Sequence, residues 1–192
     1  AGMLAEAKGR THGVPPLGAA VGITGDYFER IKALNQYRVD VICLDVAHGH
    51  HTLMEEAIKR IKDKWGEQIH IMAGNVATLE GFNDLADWGA DSIRCGIGGG
   101  SICSTRIQTG HGVPTFQTVL DIAQTDRQAL VIADGGIKNS GDIVKSLAAG
   151  ADLVMVGSLL AGTDQTPSEK VKVDGKVYKA YRGMASKEAK ED

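Results

Sequence analysis

Long apolar runs are absent from this 192-residue chain. A membrane-spanning helix needs roughly 20 consecutive apolar residues; no segment approaches that, and no membrane partner is expected. Cysteine is scarce as well, with three residues scattered at positions 43, 95 and 103. An odd, scattered set builds no disulfide framework, so a reducing, cytoplasmic setting is expected. Neither sign of charge dominates: 21 Lys and Arg stand against 24 Asp and Glu, for a net charge of −3. Such a balance offers no basic surface to a nucleic acid or an anionic membrane. The stretch from Ala1 to Arg10 also lacks the charged-then-apolar layout of a secretory signal, and Ala1-Gly2-Met3 reads as an interior cut.

Glycine is what the chain has in abundance, at 25 residues, about twice average usage. With 43% hydrophobic residues the chain can also fill one globular domain with a sizeable core. After an irregular lead-in ending at Pro15-Pro16, short apolar runs alternate with helical patterns. Leu17–Gly22, Val39–Val46, Ile69–Val76, Asp91–Ile97, Ala129–Ala133 and Leu153–Val156 read as strands of the kind buried on both faces. Helical stripes lie between them, such as Tyr27, Ile31 and Leu34, or Leu79, Phe82 and Leu85. Thr52 with Glu55 makes a capping-box signature, Thr78 and Ser140 read as further caps, and Gly89 and Gly150 as helix stops. Trp88-Gly89-Ala90-Asp91 and Ala149-Gly150-Ala151-Asp152 repeat one helix-to-strand junction.

Strict alternation predicts a parallel α/β fold, either doubly wound or a barrel. A complete (β/α)8 barrel takes about 250 residues, hence roughly 31 per unit and about 190 for six. Length therefore favours a TIM barrel lacking two units, with residues 1–192 as a single partial domain. Near the end, Val171, Val173 and Val177 alternate with charged residues around Asp174-Gly175, a two-residue hairpin signal.

Chemistry concentrates between Gly96 and Arg106. Four of the five residues from Gly96 to Gly100 are glycine, and Cys103 follows among Ser101, Ser104 and Thr105. A parallel barrel puts its functional groups on such loops, at the C-terminal ends of strands. Arg94, Arg106 and backbone N–H groups would favour a thiolate at Cys103. Cys95 and Cys43 lie inside strand patterns and read as small buried residues. Asp134-Gly135-Gly136 and Gly157-Ser158 end the last two strands, where backbone N–H groups can cradle a phosphate. The Asp134 carboxylate would repel a phosphate and suits a sugar diol instead. Each turn alone is an ordinary strand-to-helix connection; paired at the same end as Cys103, they point to a nucleotide site. His48, His50 and His51 lie near Asp45, but no second cluster completes a metal site, so they read as a solvated or substrate-facing turn. The run from Gly96 to Ser101 is no dinucleotide fingerprint, because it lacks the third glycine and sits mid-chain.

These motifs, in this order, resemble the inosine-monophosphate dehydrogenase and guanosine-monophosphate reductase family. The resemblance runs from Leu17 to Ser186 through Gly18–Gly22, Asp45–His50, Ala73–Val76, the cysteine loop, Ala133–Gly136, Gly157–Gly162 and Tyr181–Met184. It implies a (β/α)8 barrel entered at the third strand, a mobile catalytic flap beginning in the region 170–192, and a cytoplasmic homo-tetramer. It also implies a purine nucleotide monophosphate with its phosphate at Ser101, Gly136, Gly157, Ser158 and Tyr181, its ribose on Asp134, and its base near Gly183 and Met184. NAD, or NADP in the reductases, would lie beside it near Asp45, Asn75 and Arg94. Carbonyls of Gly98, Gly100 and Cys103 would hold a potassium ion.

Cys103 would form a covalent thioimidate at purine carbon 2 during oxidation of IMP to XMP, with Thr105 orienting the hydrolytic water. In the reductase direction, GMP to IMP and ammonia, Thr105 and Glu169 would carry protons. Leu17–Ile23, His48–His50 and Ala161–Thr163 favour the dehydrogenase, and Thr109-Gly110 the reductase. Gly99, Ser104, Ser168 and Ala185 depart from the family's usual residues without removing a catalytic group. Two other classes stay open: a non-catalytic nucleotide-binding fragment, and another phosphate-binding barrel such as an isomerase or a flavin enzyme.

Overall fold

The computed structural model describes residues 15–183. Readings that fall on residues 1–14 or 184–192, including Met184 and Ala185, lie outside the described residues. Six strands form one parallel sheet whose spatial order is their chain order: β1 Gly18–Val21, β2 Val41–Asp45, β3 His70–Val76, β4 Ser92–Cys95, β5 Leu130–Asp134 and β6 Leu153–Met155. Helices carry the chain from each strand to the next: α1 Tyr27–Gln36, α2 Thr52–Trp65, α3 Leu79–Asp87, then α4 Thr105–Thr109 with α5 Thr115–Ile122, and α6 Ser140–Ala148. A short α7, Ser158–Ala161, precedes an antiparallel hairpin of β7 Lys170–Val173 and β8 Lys176–Lys179. The result is a curled parallel half-barrel, as a partial TIM barrel requires.

The strands differ from expectation in one respect. They are expected to be buried on both faces; burial instead alternates along β2 and most of β3, while in β4 and β5 Ser92 and Ile132 are buried on the second face as well. Ile42 and Leu44, Ile71 and Ala73, Ile93 and Cys95, and Val131 and Ala133 are buried on the convex face. There they meet the apolar stripes of α2, α3 and α5, with Ile58, Ile61, Phe82, Leu85 and Ile122 at the centre of the core. The alternate positions, among them Cys43, Asp45, Arg94 and Asp134, line the concave side and are more accessible. A sheet that does not close leaves that side without a second apolar layer. At the margin, Leu153 of β6 is 49% exposed.

Two helix starts also move by one residue. The ring of His51, not Thr52, caps α2 by accepting the Leu53 N–H, and Asn139, not Ser140, caps α6 by accepting from Asp142. Thr78 caps α3 as read from the sequence. The repeated junction has a physical meaning. Asp91 Oδ2 accepts the backbone N–H of Ile71 at 2.6 Å, and Asp152 Oδ2 that of Val131 at 2.8 Å. In return the Asp91 N–H donates to the Ile71 carbonyl and the Asp152 N–H to that of Val131. Asp40 does the same to Leu17. Each aspartate thus clasps its incoming strand to the strand before it.

Candidate active site

Strand register gathers the site. Asp45 pairs with Gly74, and Gly74 with Arg94, so the three stand in one row across β2, β3 and β4. Gly74 presents no side chain, and a β-carbon there would stand 2.7 Å from Arg94 Cβ. Arg94 therefore reaches across β3. Its Nη1 donates to Asp45 Oδ1 at 2.7 Å and to Cys43 Sγ at 3.2 Å. On the other side, Nε and Nη2 donate to Asp134 Oδ2 at 3.0 and 2.9 Å. Asn75, at the bulge where β3 shifts register, adds a third donor to the same oxygen at 2.8 Å and holds the Gly96 carbonyl. Four consecutive strand ends are tied into one network.

Burial alone would lower the Arg94 pKa, but the charges of Asp134 and Asp45 outweigh it, and the guanidinium is held firmly protonated. Burial raises the Cys43 thiol, against the pull of Arg94. Cys43 is thus not the inert core residue expected; it sits half-buried beside a guanidinium. Cys95 is buried outright, and desolvation pushes its pKa up to about 12.

The cysteine loop rises beside this network. Gly135, with φ +96°, and Gly99 meet backbone to backbone, since a β-carbon on Gly135 would stand 2.9 Å from the Gly99 carbonyl carbon. Only glycine lets the loops after β4 and β5 approach so closely. The Cys103 N–H donates to the Gly100 carbonyl, and its thiol to Thr105 Oγ1 at 3.3 Å. Cys103, Thr105, Asp45, Asn75, Arg94 and Asp134 line one cavity of about 480 Å3. A thiol, a hydroxyl and a pinned carboxylate thus face one space, with the glycine loop on its rim.

Other expected residues come together at its edge. Gly136 lines a neighbouring cleft with Gly99 and Gly135, and Ser101 is exposed in the cysteine loop. After the hairpin the chain returns over the strand ends. A β-carbon on Gly157 would stand 2.8 Å from Tyr181 Oη, and one on Gly183 3.5 Å from the Ile102 carbonyl oxygen. Tyr181 is therefore brought to the β6 end, where Ser158 begins α7, and Gly183 to the cysteine loop. Glu169 is exposed just before β7 and is not brought to the cavity. Arg94 serves the carboxylates rather than Cys103, and Arg106 Nε donates to the Gly98 carbonyl at 2.6 Å. Arg106 thus occupies one of the three carbonyls, those of Gly98, Gly100 and Cys103, expected to hold a potassium ion. The histidine turn works locally: His50 Nε2 lies 2.7 Å from Asp84 Oδ2 of α3, and His51 is the α2 cap. Among the described residues, no group of three or more His, Cys, Asp or Glu could hold a metal ion, and no helix is long and apolar enough to cross a membrane.

A parallel half-barrel whose strand ends gather a cysteine, a pinned carboxylate and close-packed glycine loops around one cavity defines a protein of the (β/α) barrel class. The family model described as IMP dehydrogenase / GMP reductase domain matches residues 5–192, and the chain belongs to that family. It is 48% identical to the inosine-5'-monophosphate dehydrogenase of Bacillus subtilis over 182 residues, covering 94% of this chain and 37% of that protein. The enzyme of Borreliella burgdorferi is also 48% identical, over 172 residues, covering 88% of this chain and 42% of the relative. Among solved structures, GMP reductase from Trypanosoma brucei superposes with a TM-score of 0.81 at 43% identity, covering 87% of this chain and 38% of that one. The chain thus spans about two fifths of the length of these relatives.

Proposed function

We propose that this chain carries the catalytic face of an NAD-dependent enzyme that oxidises IMP to XMP in guanine nucleotide biosynthesis. The observation that carries this reading is one cavity shared by the Cys103 thiol, its Thr105 partner and the Asp134 carboxylate. Asp134 accepts the ribose hydroxyls; the glycine loops, with Ser101, Gly136, Gly157, Ser158 and Tyr181, take the phosphate; Gly183 and Met184 flank the base. Asp45 is the acceptor suited to a ribose of NAD, whereas Asn75 and Arg94 give their N–H groups to protein oxygens and serve as supports. NAD, when bound, supplies the two-electron acceptor. Cys103, its proton given up to solvent, would bond to purine carbon 2 while that carbon's hydrogen leaves with its electron pair to the bound acceptor. Thr105 holds the water that afterwards releases XMP and restores the thiolate. No step depends on potassium.

A (β/α)8 barrel with a mobile flap beginning in the region 170–192, assembled as a cytoplasmic homo-tetramer, belongs to this reading. The likeness to a solved GMP reductase supports a second reading, in which GMP is reduced with NADPH and Thr105 moves the proton; Glu169, expected to share that role, does not line the cavity. Reduced-nicotinamide absorbance decides between them, with IMP and NAD in one mixture and GMP and NADPH in the other. The chain and a version extended at both ends are compared. A rise in the first mixture supports the dehydrogenase, and a fall in the second the reductase. Silence from both versions overturns both and leaves a nucleotide-binding fragment.

A further inference from the structure

We propose that Arg94 is a positioning residue that makes the site select a ribonucleotide over its 2′-deoxy analogue, by fixing Asp134 from a guanidinium that is itself anchored on Asp45. The inference rests on the nucleotide reading above and deepens it.

Asp134 Oδ2 receives three N–H donors, two from Arg94 and one from Asn75, at 2.8 to 3.0 Å. A carboxylate pinned through one oxygen by three donors does not turn, so its other oxygen keeps a fixed direction. That is what recognition of a vicinal diol needs. A nucleotide lacking one hydroxyl then leaves an oriented acceptor short of a donor, in a site where the Asp134 side chain is only 18% exposed. Arg94 can hold this geometry only because it is itself held. Its side chain is 12% exposed, lies across the gap at Gly74, and has its far nitrogen on Asp45 Oδ1 and Cys43 Sγ. Asp45 therefore acts on ribose selection through Arg94, although the purine nucleotide has no assigned contact with it.

Calorimetric titration of the full chain with IMP and with 2′-deoxy-IMP, NAD omitted, tests this in wild type, Arg94→Lys and Asp45→Asn. Wild type is expected to prefer IMP by about tenfold or more, the scale of one hydrogen bond to a charged group. Arg94→Lys, which keeps the charge and loses the planar fork, is expected to bring the preference to within about twofold of unity, and Asp45→Asn to lower it about threefold. A merely structural role would weaken both nucleotides alike; an unchanged preference in a folded Arg94→Lys protein overturns the inference. Should Arg94→Lys not fold, Asp45→Asn decides alone, because that side chain is 43% exposed and its loss opens no core. A wild type that binds both nucleotides equally overturns the inference and leaves the nucleotide reading standing. A wild type that binds neither overturns that reading and the inference with it.

Discussion

Burial separates the three thiols into distinct chemical situations. Cys95 has no exposed surface, and its pKa near 12 keeps it protonated. Iodoacetamide at mildly alkaline pH is expected to label Cys103 and to leave Cys95 unmodified in the folded chain, with mass spectrometry of peptides as the check. The same burial sets a pH dependence. Because the folded pKa lies above the ordinary thiol value of 9.0, the unfolded chain releases this proton first, so stability is intact below pH 9 and falls as pH rises toward 12. Urea midpoints of wild type and Cys95→Ala should converge over that range if Cys95 is responsible. Arg106→Gln frees the Gly98 carbonyl, and potassium is then expected to raise the melting temperature more in the variant than in wild type. An equal potassium effect in both would show that Arg106 does not compete for that oxygen.

At the scale of elements, the aspartate clasps are the repeated device. Asp152→Ala removes the side-chain bond to Val131 and is expected to destabilise the chain by about 1–3 kcal/mol, the range for leaving a partly buried N–H without its partner. Asn139→Ala should remove about 1 kcal/mol through the lost α6 cap. Urea titration measures both. The strands were legible because apolar runs of strand length alternated with helical stripes, and the junctions because Gly89 and Gly150 sit where the helices stop, with φ of +111° and +113°. Asp174-Gly175 announced the hairpin, and both take positive φ there. The caps were misplaced by one position because Thr52 and Ser140 are good cap residues that happen to follow His51 and Asn139. The Arg94 bridge was not legible at all. It depends on register across three strands and on the missing side chain at Gly74, neither of which a linear spacing encodes. Cys43 was misread for the same reason, since its partner lies 51 residues away.

At the scale of the whole molecule, the outer sides of β1 and β6 have no strand partner among the described residues. Leu153 on β6 and Val144 and Leu147 on α6 stand 49%, 64% and 44% exposed near one of those margins. Unpaired edges beside apolar side chains promote self-association. Light scattering is therefore expected to show mass rising with concentration for this chain, and to show less of it for Val144→Lys with Leu153→Lys. Mass independent of concentration in the wild type would mean that the margins are already protected.

The Arg94 bridge has one more consequence, an electrical one. Two carboxylates share one guanidinium, so the floor of the cavity carries one excess negative charge (−2 + 1 = −1), while its rim is a glycine loop rich in backbone dipoles. The space is therefore polarised before anything enters it. A molecule with an anionic end and a neutral end is turned in the field, neutral end inward and anion outward. A nucleoside without its phosphate would lose this alignment as well as the contacts, so its rate of productive entry should fall and its affinity should fall further, because dissociation also quickens. Stopped-flow association of inosine and of IMP at several ionic strengths would expose that difference, because only the charged ligand feels the gradient and only its rate responds to salt.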